Sequence, residues 1–195
     1  MVAGGRQGNE VMRKMCGIAG WIRGPTRHLS LGDLKAMSDS MVHRGPDAEG
    51  HHLVETRSSG HQVGLAHRRL SIIDLTTGDQ PMRDENGRVT VVFNGEIYNF
   101  ADLRSLLAES GYTFRTGSDT EVLVNGYLHW GESLVEHLHG QFAFVIWDAD
   151  EEKMFFARDR FGLKPFYLCH HLGDLHFASE VKALFSLPGM SPKVA

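Results

Sequence analysis

The sequence predicts an α+β fold with mainly antiparallel sheets, and two observations carry that prediction. From Gln141 onward four strand-like runs, QFAFVIWD, KMFFARD, PFYLCHH and LHFASE, follow one another closely, separated by turn signals at 148–152, 162–165 and 173–174. Helical periodicity is confined to a few blocks and never alternates with single strands, as a βαβ chain would require.

The elements follow in order. Residues 1–14, MVAGGRQGNEVMRK, are polar and glycine-rich, and are expected to be disordered or removed. Residues 16–22 alternate small and apolar side chains and read as a strand. Over 31–42, Leu34, Met37 and Met41 recur at helical spacing. HRGPDAEG (43–50) contains Gly-Pro-Asp and reads as a loop. Residues 62–73 and 88–98 are rich in Val, Ile and Leu and read as strands. Asn99 is placed to cap a helix ending near Gly111, with Leu103, Leu106 and Leu107 facing inward. SDTE (118–121) has the spacing of a capping box and predicts a helix from Ser118 to about Trp130. No internal linker divides the chain, so one domain is expected over 16–190.

The 195 residues can bury a core without covalent staples. A hydrophobic fraction of 42%, a charged fraction of 23% and a net charge of −4 fit a soluble globular protein with no basic block for nucleic acid or an anionic membrane surface. No apolar run is long enough to span a membrane. Two cysteines form no disulfide framework, and with no secretory signal at the start a reducing, cytoplasmic setting is expected. The 12 histidines lack the spacing of zinc sites, and no phosphate-binding GxxxxGK[ST] loop occurs, so neither a metal nor a nucleotide is expected on this chain.

Several constellations bear chemistry, each with a plain alternative. Met15-Cys16-Gly17 reads like a second start. With Met15 removed, Cys16 would carry a free α-amine beside its thiol. An α-amine titrating near 7.7–8.0 is suited to take a thiol proton at neutral pH. The alternative is a small buried residue at a strand start. Asn94 and Gly95 in VVFNGEIYNF are candidate donors to an oxyanion, but Asn-Gly between β-rich runs is also a strong hairpin signal. Arg68 and Arg69 interrupt an apolar strand. Alternation sends one to each face, and an inward arginine suits a carboxylate clamp, against a surface pair. Asp119 or Glu121 could accept from a substrate ammonium, or simply cap a helix. Ser179 and Lys182 match S-x-x-K without its companion motifs and carry little weight.

MCGIAGWI, HRGPDAEG, AHRRLSIIDL, FNGEIYNF, TGSDTE, GQFAFVIWD and ARDRFGLKPFYL follow one another in this order. In that order the chain resembles the glutamine-hydrolysing domain of class II glutamine amidotransferases, most closely the N-terminal domain of glutamine-hydrolysing asparagine synthetase, over about residues 15–190. The resemblance implies an N-terminal-nucleophile (Ntn) hydrolase fold, a four-layer αββα sandwich. It implies Cys16 as nucleophile with its own α-amine as base, and Asn94 and Gly95 as the oxyanion hole. Arg69 is implied for the glutamine carboxylate, Leu70, Ile72 and Ile73 for the pocket lining, Glu96 and Asp119 for the ammonium, and Arg44 in support.

The implied reaction is glutamine hydrolysis through a Cys16 thioester, with the ammonia passed to a synthetase domain or partner, asparagine synthesis foremost. No cofactor is implied for that step; ATP and Mg²⁺ are implied only for the synthetase domain, to which 191–195 would begin the linker. A homodimer is compatible with the resemblance. Two other readings stay open: a truncated module that binds glutamine without turning it over, and an amidotransferase domain serving another acceptor.

Overall fold

The computed structural model describes residues 15–26, 28–70 and 78–191. Among the described residues nine strands form two antiparallel sheets. The strands are β1 Gly17–Arg23, β2 Ala48–Glu55, β3 Gln62–Arg69, β4 Met82–Arg83, β5 Val89–Ile97, β6 Gly140–Asp148, β7 Lys153–Arg158, β8 Tyr167–His171 and β9 Asp174–Ala178. One sheet has the order β2-β3-β1-β9-β8, the other β4-β5-β6-β7. The helices are α1 Leu31–Asp39, α2 Phe100–Glu109, α3 Asp119–Trp130, α4 Leu134–His137 and α5 Val181–Phe185.

Strand periodicity explains the layering. In β6, Ala143, Val145 and Trp147 join Ile18, Val63, Leu65, Val92 and Phe177 in a core between the two sheets. The alternate residues Phe142, Phe144 and Ile146 face the other way, into a core with Leu103, Leu107 and the α3 residues Val122–Val124. A strand covered on both faces must be apolar at every position, which is why GQFAFVIWD reads as a continuous run. On the far side of the first sheet, Ala19, Trp21 and Ala66 pack against Leu34 and Met37 of α1 and Ala183 and Leu184 of α5. Three cores between four layers make the αββα sandwich. Fully burying a side chain such as Phe177 contributes about 1.5–3 kcal/mol.

Local signals explain most boundaries. Ser30 and Asp33 form a reciprocal capping box at the start of α1, a signal in SLGD that the reading of 31–42 did not use. α1 ends at Asp39, and Met41, in the turns that follow, is still fully buried. The β8–β9 hairpin turns on Leu172 and Gly173, at φ 54° and 87°, one residue earlier than the sequence suggested.

Five expectations are corrected. HRGPDAEG is a loop only as far as Asp47, because Ala48, Glu49 and Gly50 already pair with Arg69, Arg68 and His67 of β3. Asn94-Gly95 is not a hairpin turn: both lie within β5, opposite Ala143 and Phe142 of β6. A Cβ at position 95 would stand 2.3 Å from the Gln141 carbonyl oxygen, so this glycine serves close backbone approach. Asn99 stands at the N-cap position of α2, but its side chain makes no cap hydrogen bond. Its side-chain amide bonds His137 O at 2.9 Å and His139 N at 3.0 Å, tying the helix start to the segment before β6. Leu106 is exposed, whereas Leu103 and Leu107 are buried. Only half of the capping box at 118–121 forms. Ser118 accepts from Thr120 N–H, but Glu121 accepts from Arg115 N–H, Thr116 N–H and the Thr116 hydroxyl, which folds the preceding loop. Glu121 is thereby spent on structure.

One buried polar contact joins the sheets. His67 of β3 reaches β5 and meets Phe93 O at 3.1 Å through Nε2, which must therefore carry the proton. Burial drives its imidazole down to about 3, while the same group titrates near 6.5 in an unfolded chain. A folded-state value below the unfolded one gives stability that is complete above pH 6.5 and lost as the pH falls toward 3. Between pH 7.5 and 5, His67 is expected to cost about 2 kcal/mol of unfolding free energy. Urea unfolding at both pH values should show His67→Gln losing that much less than the wild type; equal losses would place the acid sensitivity elsewhere.

Candidate active site

A cavity of about 300 Å³ opens where the head of β1, the end of β3, the middle of β5 and the N-terminus of α3 converge. Its lining includes Cys16, Arg69, Leu70, Asn94, Gly95, Glu96 and Asp119, so seven of the ten residues singled out from the sequence meet in one place. Arg44 touches the site from behind. Ile72 and Ile73 lie outside the described residues.

Cys16 directly precedes β1. Its Sγ accepts from Leu70 N–H at 3.4 Å and stands 3.7 Å from Leu70 O. The Cys16 carbonyl accepts from Arg44 Nε at 3.1 Å, and Arg44 Nη1 is anchored on Glu180 at 3.1 Å. Burial pushes the Cys16 thiol above its ordinary value; the Leu70 N–H and the cations Arg69, Lys164 and Arg44 pull the other way. The thiol therefore needs a base beside it. Met15 also lines the cavity, with its N–H on Arg44 O at 3.1 Å.

Strand alternation decides between the two arginines. Arg68 turns to the α1 side, where it bonds Ser38 O at 3.2 Å and pairs with Asp39 and Glu49. Arg69 faces the cavity, with Nη1 at 2.7 Å from the exposed carboxylate of Asp79. Asn94 is buried, and among the described residues its Nδ2 has no hydrogen-bond partner. A buried amide N–H left unsatisfied costs about 1–3 kcal/mol, and here it belongs to a residue lining the cavity. On the opposite wall Asp119 accepts from Ile97 N–H at 3.0 Å. Burial raises its carboxyl above the usual range, and the neighbouring Glu96 charge adds to that against the backbone N–H donors. A cation bound between the two carboxylates would relieve both effects.

Gln80, Gln141 and Lys164 are among the lining residues to which the sequence assigns no role. Gln80 bridges β5 to α3, accepting from Phe93 N–H at 2.6 Å and donating to Thr120 Oγ1 at 3.2 Å. Gln141 lies beside Gly95 across β5–β6. Lys164, in RFGLKP, is buried against Met15. The first two carried no signal in sequence, because their partners are distant along the chain. Among the described residues no group of three or more His, Cys, Asp or Glu could hold a metal ion.

Two antiparallel sheets packed face to face between helix layers, with Cys16 heading the central strand β1, form the sandwich of the Ntn-hydrolase fold. The glutamine amidotransferase domain model matches residues 15–195, and the chain belongs to that family. It is 42% identical over 177 residues to asparagine synthetase [glutamine-hydrolyzing] 2 of Bacillus subtilis, covering 89% of this chain and 23% of that protein. It is 38% identical over 190 residues to the amidase chry2 of Gibberella zeae, covering 92% of this chain and 27% of that one. Among solved structures, the glutamine phosphoribosylpyrophosphate amidotransferase of B. subtilis superposes with a TM-score of 0.66 at 24% identity, covering 88% of this chain and 43% of that one. The chain thus spans about a quarter of the length of the curated relatives it matches. No helix among the described residues is long and apolar enough to cross a membrane.

Proposed function

We propose that the domain hydrolyses the side-chain amide of glutamine to glutamate and ammonia. The observation that carries this reading is the distribution of charge around the thiol. Glutamine is a zwitterion with a neutral amide, and the cavity sets Arg69 against Glu96 and Asp119 with Cys16 and Asn94 beside them. An uncharged acyl group would not need both signs.

In this reading Arg69 takes the α-carboxylate, Asp119 and Glu96 the α-ammonium, and Leu70 packs on the methylenes. The Cys16 sulfur attacks the amide carbon as its proton passes to the Cys16 α-amine, and the carbonyl oxygen becomes an oxyanion bonded by Asn94 Nδ2–H and Gly95 N–H. The same amine returns the proton to the leaving nitrogen and ammonia departs from the thioester. Water, deprotonated by the amine, then releases glutamate and restores the thiol. Arg44, bonded to the Cys16 carbonyl, holds the nucleophile in register.

Ammonia is consumed, on this proposal, by an amide-forming synthetase part such as those of the asparagine synthetases, with ATP and Mg²⁺ confined to that part. A second reading, an amidotransferase domain serving another acceptor, is kept open by the similarity to a protein named as an amidase rather than a synthetase. A reduced cytoplasmic setting suits a thiol nucleophile.

The test is ammonia and glutamate release from glutamine by protein starting at Cys16; no release above a Cys16→Ala control would overturn the proposal. Arg69→Lys is expected to raise KM by roughly tenfold or more, about 1.4 kcal/mol, because a point charge replaces a planar two-pronged donor. The change should fall mainly on KM if the clamp holds ground and transition states alike. An unchanged KM would remove Arg69 from substrate binding.

A further inference from the structure

The loop between β7 and β8 is held with unusual thoroughness for a surface connection. The buried Asp159 carboxylate accepts four backbone N–H groups, from Phe142 at 3.2 Å, Phe161 at 3.1 Å, Leu163 at 3.0 Å and Lys164 at 3.2 Å. Arg158 grips the carbonyls, with Nε on Lys164 O and Nη2 on Gly162 O, both at 2.6 Å. Phe161 and Leu163 point into solvent, so these bonds gain the loop no apolar core. Their combined effect is to fix Lys164, whose backbone N–H and C=O are both held.

Lys164 turns inward. Its side chain is only 9% exposed and lines the cavity. The Nζ lies 3.4 Å from Met15 Sδ, a weak acceptor for an ammonium group with three donors. Among the described residues no carboxylate comes within ion-pairing distance of it, although a buried lysine is ordinarily paired. The two arginines nearest Cys16 differ in this respect: Arg44 is bonded to Glu180 and Arg69 to Asp79. Lys164 is the site's least neutralised cation.

We propose that Lys164 is a positioning residue that acts through Cys16: a fixed cation that favours the thiolate and, once Met15 is absent, the neutral form of the α-amine. The inference rests on the reading of Cys16 as nucleophile. Both effects have the same sign. A nearby positive charge stabilises a sulfur anion and destabilises an ammonium, so it lowers the titration point of each and enlarges the fraction of active nucleophile and active base at neutral pH. Other charged groups facing this point are Arg44 from the turns after α1, Arg69 from β3, Glu96 from β5, Asp119 from α3 and Asp159 from the same loop. The arginines act in the same direction and the carboxylates oppose it. Burial pushes the Lys164 ammonium below its ordinary value, with Cys16 the largest influence in the opposite direction, as expected for two groups that feel each other.

The test uses protein starting at Cys16 and measures the pH dependence of Cys16 alkylation by iodoacetamide, read on the Cys16 peptide by mass. This rate follows the thiolate fraction and needs no glutamine. Lys164→Met is expected to move the midpoint up by about one pH unit and slow alkylation at pH 7 about tenfold, while Lys164→Arg keeps most of the wild-type profile. Lys164→Gln serves in place of Lys164→Met if the latter lowers thermal stability. The acid limb of kcat/KM for glutamine should move with the alkylation midpoint. An unmoved midpoint in a stably folded neutral variant would overturn the role of Lys164 while leaving glutamine hydrolysis standing. A moved midpoint in protein that never releases ammonia would keep Lys164 as the tuning charge and sink the glutaminase reading instead.

Discussion

Protein that retains residues 1–15 is expected to release ammonia from glutamine roughly 100–10,000-fold more slowly than protein beginning at Cys16, the range by which a positioned general base accelerates a reaction. The cause is the state of one nitrogen. Within the chain the Cys16 nitrogen is an amide and has no basic lone pair to offer. As a terminus it is an amine titrating near 7.7–8.0, beside a thiol that burial has made reluctant to ionise. Sterics act in the same direction. Met15 lines the cavity, its N–H is fastened to Arg44 O and its sulfur lies against Lys164, so it occupies room beside the thiol that a substrate would otherwise use. Intact mass of the assayed protein, alongside ammonia release, checks the expectation. Equal rates from trimmed protein and from protein shown to keep Met1–Met15 would refute the use of the α-amine as base.

Asn94→Ala is expected to lower kcat by roughly 100–1,000-fold, about 2.7–4 kcal/mol, as for loss of one oxyanion donor. Its structural cost should be much smaller. Asn94 Nδ2 has no partner among the described residues, so the substitution breaks no hydrogen bond of that group there and removes an unsatisfied donor. The backbone of residue 94 keeps its place opposite Ala143 in β6, which alanine can occupy equally well. A large loss of turnover with little change in thermal unfolding is therefore the expected signature. A fall of less than about tenfold in stably folded protein would remove Asn94 from the oxyanion hole.

The legibility of this chain differed sharply between local and distant relations. Strands and helices were readable wherever a periodic apolar pattern met a cap or turn residue, as at Ser118 and in the four runs after Gln141. The errors arose where one local pattern permits two structures. Asn94-Gly95 has the composition of a type I′ turn, yet it continues a nine-residue strand because β6 pairs with it along its whole length. Asn99 could have capped α2, but its amide is used across 38–40 residues of sequence by His137 and His139. Glu121 had the right spacing to close a capping box and folds the loop before it instead.

What the sequence by itself determined was the list of chemistry-bearing residues and their order. A cysteine after an internal methionine, an Asn-Gly, two adjacent arginines and an Asp at a helix start are properties of residue type and spacing, and alternation alone required Arg68 and Arg69 to part. Only the tertiary structure decided which of them meet. Arg69 shares a cavity with Asp119, 50 positions away, because the end of β3 in one sheet lies against the α3 terminus beyond β5 in the other. Lys164 stands beside Met15 and Cys16 because Asp159 and Arg158 pin a loop whose sequence shows only turn residues. Periodicity is a short-range property that follows from backbone geometry; convergence at a site depends on which sheet faces pack together, and no spacing along the chain encodes that.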